Sequence, residues 1–369
     1  MMRRTPLVWS AGVAWNETAG TDRRIVEEIA RLRAVWWIDP PQPLGRPAAP
    51  ADGVETEVPG VLRLGVTAPP ALTRWPMRLA TDALRGMALA RAVRRSGASA
   101  VVVANPLARF RGAGGVARVL YVTDDWVAGA PLMQLPRGAI MRGLRRNRRE
   151  ADIVAVVSPA LALAAADVVL PNGTAAMDAT VQGTRQPIAG IVGQLNERLD
   201  LDLLEALPGA GIRVRVVGPR ADHDPSFGER LDGFLAHPLV DWRGRVPAAA
   251  VAGHLAEISV GLTPYADTDF NRASSPLKTF EYLAAGVPVV SSDLPASRWL
   301  DTPHVAVTQT PDEFLGAVRG FVGRGADEAG DAARRAFVAS HTWQRRAEDF
   351  LDLVDRAEAR ATVRVGGAR

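Results

Sequence analysis

Residues 271–290 combine groups that could hold a phosphorylated ligand. They read NRASSPLKTFEYLAAGVPVV. Ser275 is a favourable helix N-cap, and Pro276 suits the first helical position, where its missing N–H costs nothing. Gly286 then ends the helix ahead of a buried strand. The start of such a helix presents free backbone N–H groups and the positive end of the helix dipole, which together favour an anion.

Two charged side chains near the start of this helix indicate what the anion is. Lys278 is the single lysine of the chain and falls in the first turn, where a cation is unfavourable unless an anion lies over it. Glu281 follows one turn later on the same face, where its carboxylate could accept hydrogen bonds from ribose hydroxyls. The alternative is an i,i+3 salt bridge between the two side chains on a solvated face. The helix cap, the lysine and the carboxylate together favour a nucleoside diphosphate.

The elements around this helix alternate between short β-branched runs and longer helical patterns, which predicts parallel sheets with helical crossovers. Strands are predicted near residues 7–11, 34–38, 99–104, 119–123, 153–157 and 168–170, and again near residues 188–192, 214–217, 239–242, 259–262, 287–291 and 304–307. The phosphate-binding helix follows the strand at 259–262, so its start should lie beyond the carboxyl end of a sheet, where open α/β folds bind ligands.

This alternation of strands and helices, which occurs once in each half of the chain, predicts an α/β fold of two Rossmann-like domains that face each other across a cleft. Residues 1–180 are expected to form the first domain. Residues 187–344 are expected to form the second domain, which contains the predicted phosphate-binding helix. A helix over residues 345–365 is expected to cross back and pack on the first domain.

Composition excludes several classes of protein. Hydrophobic residues make up 47% of the 369 residues and charged residues 23%, as in globular proteins. The absence of cysteine excludes disulfides and thiolate metal sites. The basic start lacks the apolar run of a signal peptide, and no segment reaches about 18 uninterrupted apolar residues. We therefore expect a cytoplasmic protein.

Residues 275–290 resemble the donor-site signature of GT-B glycosyltransferases, especially glycosyltransferase family 4 and the teichuronic-acid-type enzymes near it. Residues 193–198 resemble the loop of this family that contacts the donor diphosphate. Residues 216–219 resemble its strand-end glycine, and residues 242–247 resemble the loop whose backbone reads the base. The resemblance is strong over residues 188–343 and loose in the first half.

The resemblance implies a hexosyltransferase-type glycosyltransferase with the GT-B fold. Such an enzyme moves a sugar from a nucleoside diphosphate sugar to an acceptor hydroxyl on a glycan, a lipid-linked molecule or a small molecule. Arg198 and Lys278 are expected to stabilise the negative charge of the leaving diphosphate, so that neither a metal nor another cofactor is expected. The implied donor-binding residues are Gly193, Asn196, Arg198, Gly218, Arg245, Val246, Ser274, Ser275, Pro276, Leu277, Lys278 and Glu281.

Two departures from the family pattern keep other functions open. Ala273 stands where the family has the first glutamate of its Glu-x7-Glu motif, and Gln194 stands where it usually has arginine. The missing glutamate permits a non-catalytic nucleotide-sugar-binding protein as one alternative. A nucleotide-sugar epimerase of the same fold is the other alternative, but it would need carboxylates around the sugar, so the absence at Ala273 argues against it. Two Asp-x-Asp strings, at residues 222–224 and 267–269, could chelate a divalent cation or belong to ordinary polar loops.

The acceptor has to be held by a half of the chain that contains no histidine. Asp124 follows a predicted strand and is our candidate to bind or deprotonate the acceptor hydroxyl. The alternative is that Asp124 or Asp125 caps a local turn. Asn16 and Gly20 lie in a loop that resembles, weakly, the acceptor loop of the family.

Six arginines crowd residues 137–149, where a helix is predicted. This helix could touch anionic lipids on the inner face of a membrane, beside a lipid-linked acceptor, or could be a solvated basic surface. Nucleic acid is not an expected partner, because aromatic residues make up 6% of the chain and none interleave this run.

Overall fold

The computed structural model describes residues 5–17, 19–175, 184–324 and 327–366. The chain divides into two compact units. The first comprises Met1–Pro171 together with Trp343–Arg369, and the second comprises Asn172–Thr342. Among the described residues, no helix combines the length and the apolarity that crossing a membrane requires.

The first unit is built on a mainly parallel sheet. The strands of this unit are β1 (Leu7–Ser10), β2 (Val35–Ile38), β3 (Gln42–Pro43), β4 (Val54–Glu55), β5 (Val61–Leu64), β6 (Thr67–Ala68), β7 (Ala100–Val103), β8 (Ala117–Val122), β9 (Ile153–Val156) and β10 (Val168–Val169). Its helices are α1 (Thr21–Ile29), α2 (Met77–Ser96), α3 (Arg137–Glu150) and α12 (Trp343–Gly366). In the described residues the main sheet has the order β10-β9-β8-β7-β1-β2-β5-β4, with β4 antiparallel, while β3 and β6 pair separately. The strand order reverses between β1 and β7, so their carboxyl ends border a ligand-binding position.

The sequence prediction missed strand β5, which extends the main sheet beyond β2. Val61 and Leu64 are buried, whereas Leu62 and Arg63 between them are half-buried. The side chains of a strand with one buried face alternate in burial, and this four-residue segment departs from that alternation. The segment was therefore too short and too irregular to be recognised as a strand from the sequence.

Helix α12 packs on α1 and β8 within the first unit. Phe350 is fully buried, and its ring centroid lies 5.2 Å from that of Trp9 and 5.3 Å from that of Tyr121. The buried guanidinium of Arg33 donates from Nη2 to Oε1 of Glu358 at 2.6 Å. Apolar packing and one partly buried ion pair thus attach the C-terminal helix to this unit.

Replacing Glu358 by glutamine is expected to lower the free energy of unfolding by about 1–2 kcal/mol, because it removes the charge that faces the buried Arg33. The loss stays moderate since the Glu358 side chain is 30% exposed and Asp355 lies 3.7 Å from the same guanidinium. Urea unfolding measures the change, with Glu348→Gln as the control, because the Glu348 side chain is 44% exposed and faces the exposed Arg345 on the same helix. Equal midpoints for the two variants would contradict the expectation.

The second unit contains a fully parallel sheet. Its strands are β11 (Gln186–Val192), β12 (Arg213–Val217), β13 (Val240–Trp242), β14 (Ile258–Thr263), β15 (Val289–Ser292) and β16 (Val305–Thr308). Its helices are α4 (Leu201–Gly209), α5 (Pro225–Leu235), α6 (Ala248–Glu257), α7 (Asp269–Arg272), α8 (Leu277–Ala284), α9 (Pro295–Trp299), α10 (Pro311–Val322) and α11 (Glu328–Val338). The described strands have the order β13-β12-β11-β14-β15-β16. The order reverses between β11 and β14, which is where open parallel sheets bind nucleotides.

Candidate functional site

The helix that carries Lys278 begins one residue later than the sequence predicted. Helix α8 starts at Leu277, and Pro276 is its cap residue, with ψ of 56° and no side-chain cap. Ser275 is therefore not the N-cap; its Oγ instead accepts the N–H of Asn172 at 3.1 Å. The first backbone bond of the helix runs from the N–H of Phe280 to the carbonyl of Pro276. The N–H groups of Lys278 and Thr279 precede this bond and therefore have no acceptor within the helix, as the sequence predicted.

Lys278 lies at the reversal of strand order in the second unit. An added Cβ on Gly193, the residue after β11, would be 3.4 Å from Cε of Lys278. The Nζ of Lys278 donates to Oε2 of Glu281 at 2.7 Å, and both side chains are about 30% exposed. The i,i+3 salt bridge that the sequence left open as an alternative is thus formed. The ammonium group remains accessible to an anion that arrives from solvent.

Two glycines bring the ends of β11 and β12 into close contact. Gly193 has φ of 152° and Gly218 has φ of 149°, a region that favours glycine. An added Cβ on Gly218 would stand 1.7 Å from the carbonyl oxygen of Gly193, which is closer than any contact allows. The N–H of Gly218 donates to the carbonyl of Gly244 beyond β13. Glycine at these three positions therefore lets the backbone segments that follow β11, β12 and β13 approach one another closely.

Arg198 is held in place by the segment before α8. Its Nε donates to Oδ1 of Asn271 at 2.9 Å, and its Nη2 donates to Oγ of Ser274 at 3.1 Å. The guanidinium also lies 5.1 Å from the ring centroid of Tyr265. Asn196, which is buried, accepts the N–H of Arg198 with its Oδ1. These contacts orient a second cation in the same unit as Lys278.

Asn271 and Tyr282 hold this arrangement together, although neither was predicted as a site residue from the sequence. The buried Nδ2 of Asn271 donates to the carbonyl oxygens of Arg198 and Ala266, both at 2.9 Å. The Oη of Tyr282 accepts the N–H of Val192 at 2.8 Å and so ties α8 to the end of β11. The signal was available, because both residues lie inside the 271–290 stretch.

The other predicted donor residues occupy flanking loops. Pro276 and Leu277 are half-buried at the start of α8. Arg245 is exposed and Val246 is half-buried in the loop between Gly244 and α6. The indole Nε1 of Trp242 at the end of β13 donates to the carbonyl of Gly218 at 3.1 Å, and 42% of this side chain is exposed.

The two Asp-x-Asp strings are engaged in local contacts. Asp222 accepts from Arg220 at 2.9 Å, and Asp224 caps helix α5. Asp267 accepts from Arg272 at 2.7 Å. Within the residues that the structure describes, no group of three or more histidine and acidic side chains has the arrangement of a metal site.

The predicted acceptor residues of the first unit are spread over two loops. Asp125 uses Oδ1 to accept the N–H groups of Val127 at 3.0 Å and Ala128 at 2.9 Å, so it caps a local turn, which is the alternative that the sequence left open. Asp124 is half-buried directly after β8 and Thr123. In the other loop, Oδ1 of Asn16 accepts from Arg63, and Gly20 is the cap residue of α1. Thr18, between them, lies outside the described residues.

Asp22 is a buried acid beside this second loop. Its Oδ2 accepts the N–H of Gly12 at 3.0 Å, and its Oδ1 accepts the N–H of Arg23 at 3.1 Å. Burial raises the pKa of the Asp22 carboxyl from 3.8 to about 6, although the two N–H donors act in the opposite direction. The folded chain therefore binds a proton here more tightly than the unfolded chain does.

This shift predicts a pH dependence of stability. Between about pH 4 and pH 6 the folded state keeps the Asp22 proton that the unfolded state has lost, so the free energy of unfolding should fall as pH rises, by at most about 3 kcal/mol. Asp22→Asn should remove this component, so that its urea midpoint declines less across the interval than that of the wild type. Parallel pH profiles for the two proteins would contradict the assignment.

Comparison with known proteins supports the resemblance to glycosyltransferases. Residues 198–352 match the family model described as glycosyl transferase-like. The putative teichuronic acid biosynthesis glycosyltransferase TuaH of Bacillus subtilis (strain 168) is 31% identical over 169 residues, which are 44% of this chain. The matched region spans 42% of the length of that relative. The predicted resemblance to glycosyltransferases is confirmed, while the assignment to family 4 stays a prediction.

Solved structures show the same fold over nearly the whole chain. Sucrose-phosphate synthase from Thermosynechococcus elongatus has a TM-score of 0.73 at 18% identity and covers 96% of this chain and 100% of its own. Anabaena HepE, solved in complex with UDP and glucose, has a TM-score of 0.66 at 12% identity. The match covers 95% of this chain and 100% of the HepE chain. The predicted α/β GT-B fold is confirmed. The chain therefore has the GT-B fold, and its residues 198–352 are similar to the glycosyl transferase-like family.

Proposed function

We propose that this protein is a hexosyltransferase-type glycosyltransferase of the family 4 group, which moves a sugar from a nucleoside diphosphate sugar to an acceptor hydroxyl. The proposal rests mainly on the position of the single lysine. Lys278 lies in the first turn of α8, beside Gly193 at the reversal of strand order. A nucleotide diphosphate is the ligand that such a position binds in parallel α/β sheets.

UDP is the nucleotide we propose, because the similar fold of Anabaena HepE was solved with UDP and glucose. The diphosphate lies against the open start of α8, where the N–H groups of Lys278 and Thr279 donate to it. Lys278 exchanges the Glu281 carboxylate for a phosphate oxygen, which frees Glu281 to accept from the ribose hydroxyls. We also propose that the enzyme acts in the cytoplasm.

Negative charge builds up on the diphosphate as the bond to the sugar breaks. Lys278 and Arg198 supply two positive charges for it, and Asn271 and Ser274 hold the guanidinium so that little reorganisation is needed. We propose that these protein cations act without a metal ion. Sugar transfer should therefore persist in excess EDTA.

We propose that the first unit binds the acceptor, with Asp124, Asp125, Asn16 and Gly20 as candidate contacts. Asp124 is the candidate to accept the proton of the acceptor hydroxyl. Asp125 holds the turn that follows, since it already accepts two N–H groups.

Incubation with UDP-glucose, UDP-galactose and UDP-N-acetylglucosamine, each labelled in the sugar, tests the proposal. Stoichiometric release of UDP with label in a new glycoside is the expected result. An isomerised donor sugar would instead identify an epimerase. Binding of UDP without turnover of any donor, across a panel of sugar and lipid-linked acceptors, would identify a non-catalytic binding protein.

A further inference from the structure

The first unit contains a large pocket at the carboxyl ends of its central strands. Its volume is about 680 Å³, and Gly12 after β1, Asn105 after β7 and Trp126 after β8 contribute to its wall. All of its lining residues belong to the first unit. The pocket therefore lies at the reversal of strand order between β1 and β7, where parallel sheets bind ligands.

The described lining of this pocket is strongly basic. It contains seven arginines and one aspartate, Asp82. Four of the arginines belong to α3, two belong to α2, and Arg109 lies in the loop after β7. We call the pocket lined by these seven arginines the arginine pocket. Asp82 offsets a single charge, because its Oδ2 lies 2.8 Å from Nη2 of Arg109.

The four arginines of α3 face the pocket because of their spacing. They are Arg142, Arg145, Arg146 and Arg149, at positions i, i+3, i+4 and i+7 of the helix. Such residues share one helix face. The helix is also pressed against the strand end, since an added Cβ on Gly143 would stand 2.0 Å from the carbonyl oxygen of Pro106.

Two arginines at the base of the pocket are partly removed from water. Arg85 donates to the carbonyl of Leu107 at 2.8 Å, and Arg146 donates to the carbonyl of Ala108 at 2.7 Å. Burial lowers the pKa of Arg85 to about 10 even though Asp82 acts against it, and the charge of Arg146 lowers it further. Burial and the neighbouring Arg109 also lower the pKa of Arg146. The three cations repel one another, so an anion placed among them would be bound favourably.

Four further arginines reach the pocket from its rim. Arg78, Arg142, Arg145 and Arg149 are exposed, and none forms an ion pair with another described part of the chain. A guanidinium presents a planar fork of donors that matches phosphate oxygens two at a time. A flat membrane surface would reach the exposed arginines more readily than the half-buried Arg85 and Arg146. The involvement of half-buried arginines therefore favours a phosphate group that enters the pocket.

We propose that the arginine pocket binds a phosphate or diphosphate group of the acceptor, so that the acceptor substrate is a phosphorylated molecule. This inference rests on the proposed glycosyltransferase function. The phosphate has two sources with the same chemistry: a sugar phosphate, or the diphosphate of a lipid carrier whose head enters the pocket. Leu79, Leu107 and Trp126 in the wall provide apolar surface beside the charges for the rest of the acceptor.

The test is calorimetric titration of the full chain with inorganic pyrophosphate while the nucleotide site is saturated with UDP. The pocket variant carries Arg78→Gln and Arg145→Gln, one change in α2 and one in α3. The matched control carries Arg94→Gln and Arg137→Gln, exposed arginines of the same two helices outside the pocket lining. Both variants lose the same charge. The pocket variant should bind pyrophosphate about tenfold more weakly or worse, and the control within about twofold of the wild type.

Competition against pyrophosphate then separates the two sources. Displacement by glucose 6-phosphate supports a sugar phosphate, and displacement by phosphatidylcholine vesicles that contain a polyprenyl diphosphate supports a lipid carrier. Failure of both to compete overturns the acceptor assignment. Equal weakening in the pocket variant and the control, or no pyrophosphate binding by the UDP-saturated wild type, overturns the inference and leaves the donor site intact. Failure of UDP itself to bind would instead contradict the proposed function.

Discussion

Replacing Lys278 by alanine is expected to weaken UDP binding by about ten- to a hundredfold, which corresponds to about 1.5–3 kcal/mol for a lost charge-assisted hydrogen bond. The ammonium group is the cation that lies beside Gly193 at the open start of α8. Without the ammonium group, the helix N–H groups and Arg198 are the remaining proposed contacts of the diphosphate. The substitution also leaves Glu281 without the cation it faces at 2.7 Å, and that free carboxylate repels a phosphate. Calorimetry with UDP measures the loss.

Two further variants make the Lys278 measurement specific. Arg319→Ala removes an exposed cation of α10 in the same unit and should leave the affinity for UDP unchanged. Lys278→Arg keeps the charge and should retain much of the binding. Unchanged affinity of Lys278→Ala for UDP, or a loss of the same size in Arg319→Ala, would contradict the role given to Lys278.

Gly218→Ala is expected to lower the free energy of unfolding by about 4 kcal/mol or more, because an overpacked contact and a strained backbone angle add up at one residue. The new Cβ would stand 1.7 Å from the carbonyl oxygen and 2.7 Å from the carbonyl carbon of Gly193. Both are backbone atoms, so relief requires that the ends of β11 and β12 move apart. Because this movement displaces Gly193 from Lys278, UDP binding should also be lost.

The control for this substitution is a glycine of the same unit without such a neighbour. Gly233 lies inside α5, and an added Cβ there would meet nothing within 4 Å. Gly233→Ala should be neutral or stabilise by about 1 kcal/mol, since alanine is the better helix former. Urea midpoints of the two variants should therefore move in opposite directions or differ widely. A Gly218→Ala protein as stable as the wild type would show that the close contact is absent in solution.

Much of the fold was readable from sequence because its strands are apolar runs with helical patterns between them. The strand at 259–262 and the helix around Lys278 were predicted where β14 and α8 lie. Helix α8 starts later than predicted for two reasons. Pro276 adopts a non-helical ψ of 56°, and the Ser275 hydroxyl accepts the N–H of Asn172 instead of capping the helix. A cap residue is decided by such tertiary partners as well as by residue type.

The arrangement of the candidate sites was less predictable, because it depends on contacts between residues distant in sequence. The pairing of Arg198 with Asn271 crosses 73 positions, and no local pattern reports it. The arginines of α3 were visible as a charged run, but the direction they face depends on the close contact between Gly143 and Pro106. Arg85 and Arg109 complete the pocket from other parts of the chain.

The diphosphate position is tested most directly by a crystal structure of the protein grown with UDP. We predict the two phosphates at the start of α8, with Nζ of Lys278 about 3 Å from a phosphate oxygen and no longer bonded to Glu281. UDP density confined to the arginine pocket of the first unit, with the bond between Lys278 and Glu281 intact, would contradict this prediction.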